Sequence, residues 1–469
     1  MTARITFYGG AGTVTGANFL FDTGTQKILI DCGTIERENV SDTANSDPFA
    51  YDPSSIDALI VTHAHADHIG RIPKLVHDGF KGVIYSTTPT KELAAAMFAD
   101  ALTIMHEEDK RSGRVVLYER ADVDRALSLW ETYGYHEAFD LGDVCIEFLD
   151  AGHILGSAMI RVTRLRPDSA KAPTGKQGFG GQERSILFTG DLGNSPEPLL
   201  NDTESPEGTT YLVMESVYGD RLHADRGQRQ KMLQNMVLDA RNRSSTLLIP
   251  SFSIERTQIL LYELNAMVEK GKLDPVDVYF DAPLAIEVTD IYRKYKDWLN
   301  PAVSEHFEKG DDPFSFKNLK LTPHVEQSDA IHSARNPKVI IAGAGMAAGG
   351  RVRLHLKCYA PDQNTVILFV GYQVPGSLGR RIEDGEKTVH IDGEYVKVRA
   401  HIASITGYSG HKDRDALLDF VESSGESLQE VFVTMGEPKS SMFLAQRIRD
   451  FLGVEALVPQ IGESFELSF

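Results

Sequence analysis

A chain of 469 residues with 42% hydrophobic and 25% charged residues has ordinary globular composition, with room for about two to four domains. Its formal net charge of −19 argues against a general affinity for polyanions, although it leaves a local basic groove open. No apolar run approaches the roughly 20 residues of a membrane span, and Met1–Phe7 reads straight into a strand rather than a signal-peptide core, so a cytoplasmic protein with no membrane partner is expected.

In chain order, short β-branched runs alternate with helical patterns. Strands are expected at Lys27–Asp31, Ala58–Thr62, Gly82–Ser86, Val144–Leu149, Ser185–Thr189, Tyr211–Glu215, Thr246–Pro250, Val278–Asp281, Lys338–Ala342, Thr365–Val370 and Glu430–Thr434. Helices are expected at Thr90–Glu107, just behind Pro89, at Gln228–Arg241 and at Thr257–Lys270. His390–Val398 reads as a small β excursion before the chain resumes at Ala400–Ile405. Arg166–Glu183 is apolar-poor and reads as an exposed loop, and Asp202–Thr209 as a polar break suited to a domain boundary. The alternation is that of an α/β protein. Cys32, Cys145 and Cys358 each sit in or beside an apolar segment, far apart and without CxxC spacing. Buried free thiols are therefore expected, and any metal would be held by histidine and carboxylate.

The densest chemistry lies in Thr62-His63-Ala64-His65-Ala66-Asp67-His68, where the second expected strand ends. Three imidazoles and a carboxylate within six residues suit zinc or a similar divalent ion, and their number suggests two metals sharing one site. Asp31, His153 and Asp191 likewise follow the ends of strands. Ligands collect beyond the carboxyl ends of strands in open α/β sheets, so these positions could converge. Further on, the glycine-rich turn Gly343–Gly350 would let backbone N–H groups approach phosphate oxygens. Arg351 and Arg353 follow it, Arg380 and Arg381 follow a second such turn, and Arg256 opens a helix. Together they could form a local basic funnel in an acidic protein.

THAHADH, with Asp31, AGHILGS and FTGDLG in this order, resembles the metallo-β-lactamase fold. The later segments Glu215–Gly219, Pro250–Gln258, Asp281–Ala285, Ala344–Arg351 and Gly371–Gly379 resemble the ESTYG, PAFAxGRTQ, DSPLA, SSGMxxGGR and GYQxxGTLG motifs of its β-CASP branch. Those are RNA-processing nucleases akin to the endonuclease that cleaves pre-mRNA 3′ ends. The resemblance implies an αββα metallo-β-lactamase sandwich, built from 1–208 and 402–469, with an inserted α/β β-CASP domain at 209–401. It implies that His63, His65 and His153 hold a first zinc, that Asp67 and His68 hold a second, that Asp191 bridges them, and that Asp31 orients the ligands. Asp67 would also orient or deprotonate the attacking water. Tyr408–Asp413 resembles the SAHxD segment, which makes His411 the proton donor and Glu215 its acidic partner. Arg256, Gly349, Gly350, Arg351, Ser377 and Arg380 would meet the substrate. One position departs from the pattern. Where the branch has a VHGE-type turn, this chain reads Thr434-Met435-Gly436-Glu437, and a thioether is a poor zinc ligand beside oxygen and imidazole donors.

The expected activity is that of a zinc-dependent ribonuclease acting on single-stranded RNA, with one metal held tightly, a second held weakly, and Mn²⁺ able to stand in at the weaker site. A homodimer is a further expectation. Two alternatives stay open: an RNA-binding pseudonuclease with an incomplete second metal site, and a small-ester or thioester hydrolase of the same fold. The inserted half counts against the latter, since a small substrate needs no such insertion.

Overall fold

The structure is a computed structural model that describes residues 2–35, 44–113, 115–165, 184–223, 226–273, 276–347, 349–374 and 376–469. The glycine-rich loop expected at Arg166–Glu183 lies outside the described residues. Two seven-stranded sheets face each other. The first runs in the order Ser464–Ser468, Thr2–Gly9, Asn18–Asp22, Lys27–Ile30, Ala58–Ile60, Val83–Thr87 and Trp130–Tyr133. The second runs Glu455–Leu457, Glu430–Val433, Tyr211–Met214, Ser185–Phe188, Ala158–Arg164, Val144–Asp150 and Phe139–Leu141.

Side-chain alternation sets the layers. Ile28, Ile30 and Ile60 point between the sheets, where Phe7 meets Phe432 at 5.6 Å between ring centres and Phe21 meets Phe188 at 6.1 Å. Their neighbours Leu29, Leu59 and Val61 point outward and are equally buried, under Ile69, Ile72 and Leu75. Strands covered on both faces read as unbroken apolar runs, which is why these were legible in the sequence. On the far side Leu187, Leu212 and Val431 pack against Leu417, Phe420 and Leu444 of the C-terminal helices Arg414–Glu422 and Pro438–Arg447. The result is an αββα sandwich.

A third sheet, all parallel, runs Leu319–Leu321, Asp277–Asp281, Lys338–Ala342, Thr246–Pro250, Val366–Phe369 and His401–Ser404. It forms the insertion, with a small hairpin of Thr388–Ile391 and Glu394–Lys397 at the expected excursion. Sheet membership shifts both expected boundaries. Tyr211–Met214, assigned to the insertion at 209, is a central parallel strand of the second sheet. The break at 202–209 does not leave the sandwich: Glu204 N–H donates to Asp150 O and Thr203 Oγ1 to Ala151 O. His401–Ser404, at the other boundary, completes the third sheet by pairing with Val366–Phe369.

The long helix Thr88–Ser112 starts two residues before its expected limit because the Thr87 hydroxyl caps it, with Pro89 in its first turn. Of the cysteines only Cys32 is buried. Cys145 is half-buried on a strand whose burial alternates, and Cys358 is exposed on a helix, so apolar neighbours in sequence misled for both. No helix among the described residues is long and apolar enough to cross a membrane.

Candidate active site

Strand ends from both sheets of the sandwich meet at one edge. His63 and His65 follow Ala58–Ile60, Asp31 follows Lys27–Ile30, His153 follows Val144–Asp150, and Asp191 follows Ser185–Phe188. Two glycines let the loops touch. A Cβ on Gly33 would stand 1.5 Å from the Asp67 carbonyl oxygen, and one on Gly193 1.9 Å from that of Gly152. Only bare backbone allows such approaches.

The expected ligands converge. His63 Nε2 and His153 Nε2 lie 3.1 and 3.2 Å from His65 Nδ1, and each lies 3.5 Å from Asp191 Oδ2. His68 Nε2 lies 3.3 Å from the other Asp191 oxygen, Oδ1, and 3.8 Å from Asp67 Oδ2. Asp191 therefore presents one oxygen to each group. His68 Nε2 and Asp191 Oδ1 are buried and have no hydrogen-bond partner among the described residues. Buried polar atoms are almost always satisfied, so two orphans aimed at one point fit a cation held between them.

The remaining ring nitrogens fix the tautomers. His68 Nδ1 faces Asp31 Oδ2 at 2.6 Å, and the Thr62 N–H and hydroxyl also donate to Asp31, at 2.8 and 2.7 Å. His153 Nδ1 faces Gly410 O at 3.1 Å. Each arrangement leaves Nε2 with a lone pair for a metal. Burial holds His63, His65 and His153 below the usual imidazole range, so they are neutral donors. For His68 the burial effect is outweighed by Asp191, Asp31 and Asp67, which raise it. That is the behaviour of a site demanding positive charge, which a cation would supply in place of the proton.

On the rim, His411 Nδ1 lies 3.0 Å from Glu215 Oε1, leaving Nε2 as the ring's other donor. Glu215 is buried and also accepts from the Leu192 N–H at 2.8 Å. Burial disfavours the His411 imidazolium, but the Glu215 carboxylate, with Asp191 and Asp67, overrides it and lifts the group to about 9. The side chain is 20% exposed, so a substrate can reach it. Three residues that the motif reading did not single out surround it. His223 Nε2 lies 2.9 Å from His411 O, Tyr218 packs against both rings, and Tyr372 packs on Tyr218 while donating its hydroxyl to Glu437. Two of these, Tyr218 and Tyr372, lie inside quoted motifs, which was the available signal.

The expected substrate arginines are mostly engaged elsewhere. Arg351 donates to Asp281 Oδ1 at 2.6 Å and to the carbonyls of Thr322 and Pro323. Arg380 pairs with Asp384 at 3.0 Å, Arg353 with Asp392 and Arg381 with Glu386. Arg256 is buried, and its Nη1 donates to Tyr408 O at 2.7 Å. In place of an open funnel of cations, Arg351, Arg353, Arg380 and Arg381 make local ion pairs and Arg256 is held by a carbonyl. The glycine turns do meet. Gln373 Nε2 donates to Gly345 O at 3.1 Å and Gly379 N–H to Met346 O at 3.0 Å. This ties the turn carrying Gly349 and Gly350 to the one where the Ser377 hydroxyl caps the helix Leu378–Glu383. Tyr372 carries both to the metal edge.

Buried charges also pin the insertion to the sandwich. Arg229 reaches Glu197 at 3.1 Å, Glu263 at 3.1 Å and Gly407 O at 3.1 Å, and the Tyr408 hydroxyl donates to Glu263. Met435 is buried, has φ +44°, and with Phe19, Asp31, Thr62 and His68 lines an enclosed cavity of about 10 Å³ beside the second ligand group.

An αββα sandwich with this ligand edge and an inserted parallel α/β unit defines a metal-dependent hydrolase class. Residues 20–169 match a metallo-beta-lactamase superfamily domain, residues 257–382 a Beta-Casp domain, and residues 395–459 a Zn-dependent metallo-hydrolase RNA specificity domain. The chain is 33% identical over 460 residues to ribonuclease TTHA0252 of Thermus thermophilus, covering 98% of this chain and 99% of that protein. It is 31% identical over 468 residues to transcription termination factor FttA of Methanosarcina mazei, covering 96% and 70% respectively. A crystal structure of a protein of unknown function from Enterococcus faecalis shares the fold, with a TM-score of 0.55 at 12% identity and full coverage of both chains. The chain belongs to the β-CASP family of metallo-β-lactamase-fold hydrolases.

Proposed function

We propose that this chain is a zinc-dependent ribonuclease that hydrolyses phosphodiester bonds of single-stranded RNA in the cytoplasm. The observation that carries the reading is the pair of orphaned buried atoms, His68 Nε2 and Asp191 Oδ1, set among three neutral histidines with the His411–Glu215 pair on the rim. The family's description as metallo-hydrolases with an RNA specificity domain supports RNA as the substrate. The three free cysteines fit a reducing compartment.

His63, His65, His153 and Asp191 bring four ligand atoms within 4.8 Å of one another, a histidine-rich set that would hold zinc. Asp67, His68 and Asp191 offer a second, oxygen-richer set that Mn²⁺ could also fill. Bound there, a divalent cation supplies charge that neutralises phosphate oxygens and lowers the pKa of a water to about 7. Asp67 orients that water and takes its proton. His411, charged and held by Glu215, gives a proton to the leaving oxygen. Asp31 and Gly410 keep His68 and His153 in the donor tautomer. The turns carrying Gly349, Gly350 and Ser377 offer backbone N–H groups to the strand, with Arg380 at their rim. Arg351 and Arg256 act by holding loops in place.

A second reading, an RNA-binding pseudonuclease, is favoured by Met435 alone. End-labelled single-stranded RNA, duplex RNA, DNA and a thioester, each incubated with zinc or Mn²⁺, separate the readings. Cleavage of single-stranded RNA in preference to the others is expected. Binding without cleavage under both metals would establish the pseudonuclease, and thioester turnover alone would overturn both.

A further inference from the structure

Glu255 combines two unfavourable choices. Its backbone, at φ +67° and ψ −56°, is the centre of a γ-turn closed by Arg256 N–H donating to Ile254 O at 2.9 Å. This is the rare, strained form of that turn, and a glutamate has no conformational reason to occupy it. The motif that Pro250–Gln258 resembles carries glycine at the same position. Its side chain is also 0% exposed, and Oε1 has no hydrogen-bond partner among the described residues. A strained residue with a half-satisfied buried carboxyl persists only where the surroundings hold it there, and such residues cluster at functional sites.

The surroundings are the metal loop. Glu255 Oε2 accepts from the Tyr292 hydroxyl, which itself accepts from the Leu155 N–H at 3.2 Å. Tyr292 is fully buried on the insertion's helix Pro283–Lys294. Leu155 belongs to the sandwich, two residues after His153. Other backbone N–H groups of this loop are satisfied from within it: His153 and Ile154 by the Ser157 hydroxyl, at 3.0 and 3.2 Å, and Gly152 by Asp150. Leu155 alone among them turns to the other domain. The γ-turn also sends the next side chain, Arg256, to Tyr408 O on the loop that bears His411.

We propose that Glu255 and Tyr292 are positioning residues: a strut from the inserted domain that holds the His153 loop in register with the cleft. The proposal rests on the hydrolase reading for its effect on turnover, but the strut itself is read independently of activity. Tyr292→Phe removes only the hydroxyl. Glu255→Gly removes the strut while relaxing the turn. In both variants, hydrogen exchange at the Leu155 amide should accelerate relative to the unaltered protein. Metal content should be unchanged, kcat for RNA cleavage should fall, by up to about 100-fold for a displacement near 1 Å, and KM should stay within a factor of about two. Glu255→Gly should melt no lower than the unaltered protein, which a merely structural residue would not permit. The double variant should lose no more than either single one, because both remove one connection. Unchanged exchange at Leu155 would overturn the strut, whatever the protein does to RNA. Faster exchange with unaltered kcat, or a kcat loss that tracks metal loss, would overturn positioning. Failure of the unaltered protein to cleave RNA would refute the ribonuclease reading, and the exchange result would still decide whether the strut exists.

Discussion

Glu255 gives stability a pH dependence that can be isolated by one substitution. Burial raises its carboxyl from an ordinary 4.5 to about 7 in the folded chain, against the opposing pull of Arg256 and the Tyr292 hydrogen bond. Between those two values the folded protein holds a proton that the unfolded chain has released. Stability from this group is therefore fully present below about pH 4.5 and is lost as pH rises through about 7, at close to 1.4 kcal/mol per unit while the window lasts. The whole window amounts to about 3 kcal/mol. Glu255→Gln keeps the shape and an acceptor for the Tyr292 hydroxyl but cannot ionise. Urea unfolding of both proteins across about pH 5 to 8 is the assay. The buried histidines of the metal edge and Asp150, itself lifted to about 6 chiefly by burial, titrate in both proteins and cancel in the difference. The variant should gain on the parent steadily up to about pH 7, with a plateau beyond. Parallel stability curves would show that Glu255 is ionised throughout, and the argument from its unpaired Oε1 would fail.

Replacing His65 with Ala removes the nitrogen common to the His63 and His153 contacts, so at least one equivalent of zinc and all hydrolysis should be lost while the third sheet stays folded; full metal content by elemental analysis would contradict the ligand assignment. His411→Ala should lower kcat by about 10²–10⁴ with RNA affinity nearly intact, and a collapse of affinity at constant kcat would make His411 a binding residue. Met435→His should tighten a second metal and raise activity at limiting zinc; two tightly bound zinc ions in the unaltered protein would show that its second site is already complete.

What could be read from the sequence follows from which interactions are local. Ala58–Ile60 and Lys338–Ala342 are covered on both faces and read as apolar runs. Leu319–Leu321 and Glu455–Leu457 are sheet edges with at most one buried side chain each, so no pattern marked them. The candidate ligands were legible because four of them, His63, His65, Asp67 and His68, share one loop and the others follow strand ends. The ion pairs of the arginines were not legible because a guanidinium looks alike in sequence whether it faces a phosphate or Asp281, and the Arg351–Asp281 pair spans 70 residues. The same holds for Arg229, Glu197 and Glu263. Each resembles a solvated surface charge until the fold brings them together and excludes water.

Met435 shows how a departure from a motif can be weighed once the backbone is known. Its φ of +44° is unusual for a residue with a Cβ, and histidine enters this region several times more readily than most side chains. Its N–H donates to Gly10 O at 2.6 Å, and its sulfur would stand 2.6 Å from a Cβ on Gly10, so the glycine leaves the space that the thioether fills. The turn thus retains a backbone suited to a ligand while carrying a side chain that packs. His68 Nε2 and Asp191 Oδ1 nevertheless face each other at 3.3 Å with no hydrogen-bond partner among the described residues, as two donors to one cation would. A second cation held by fewer protein donors, with water completing its shell, reconciles the two facts. On that reading the methionine would lower the affinity of the site without abolishing it, and the histidine substitution tests that difference directly.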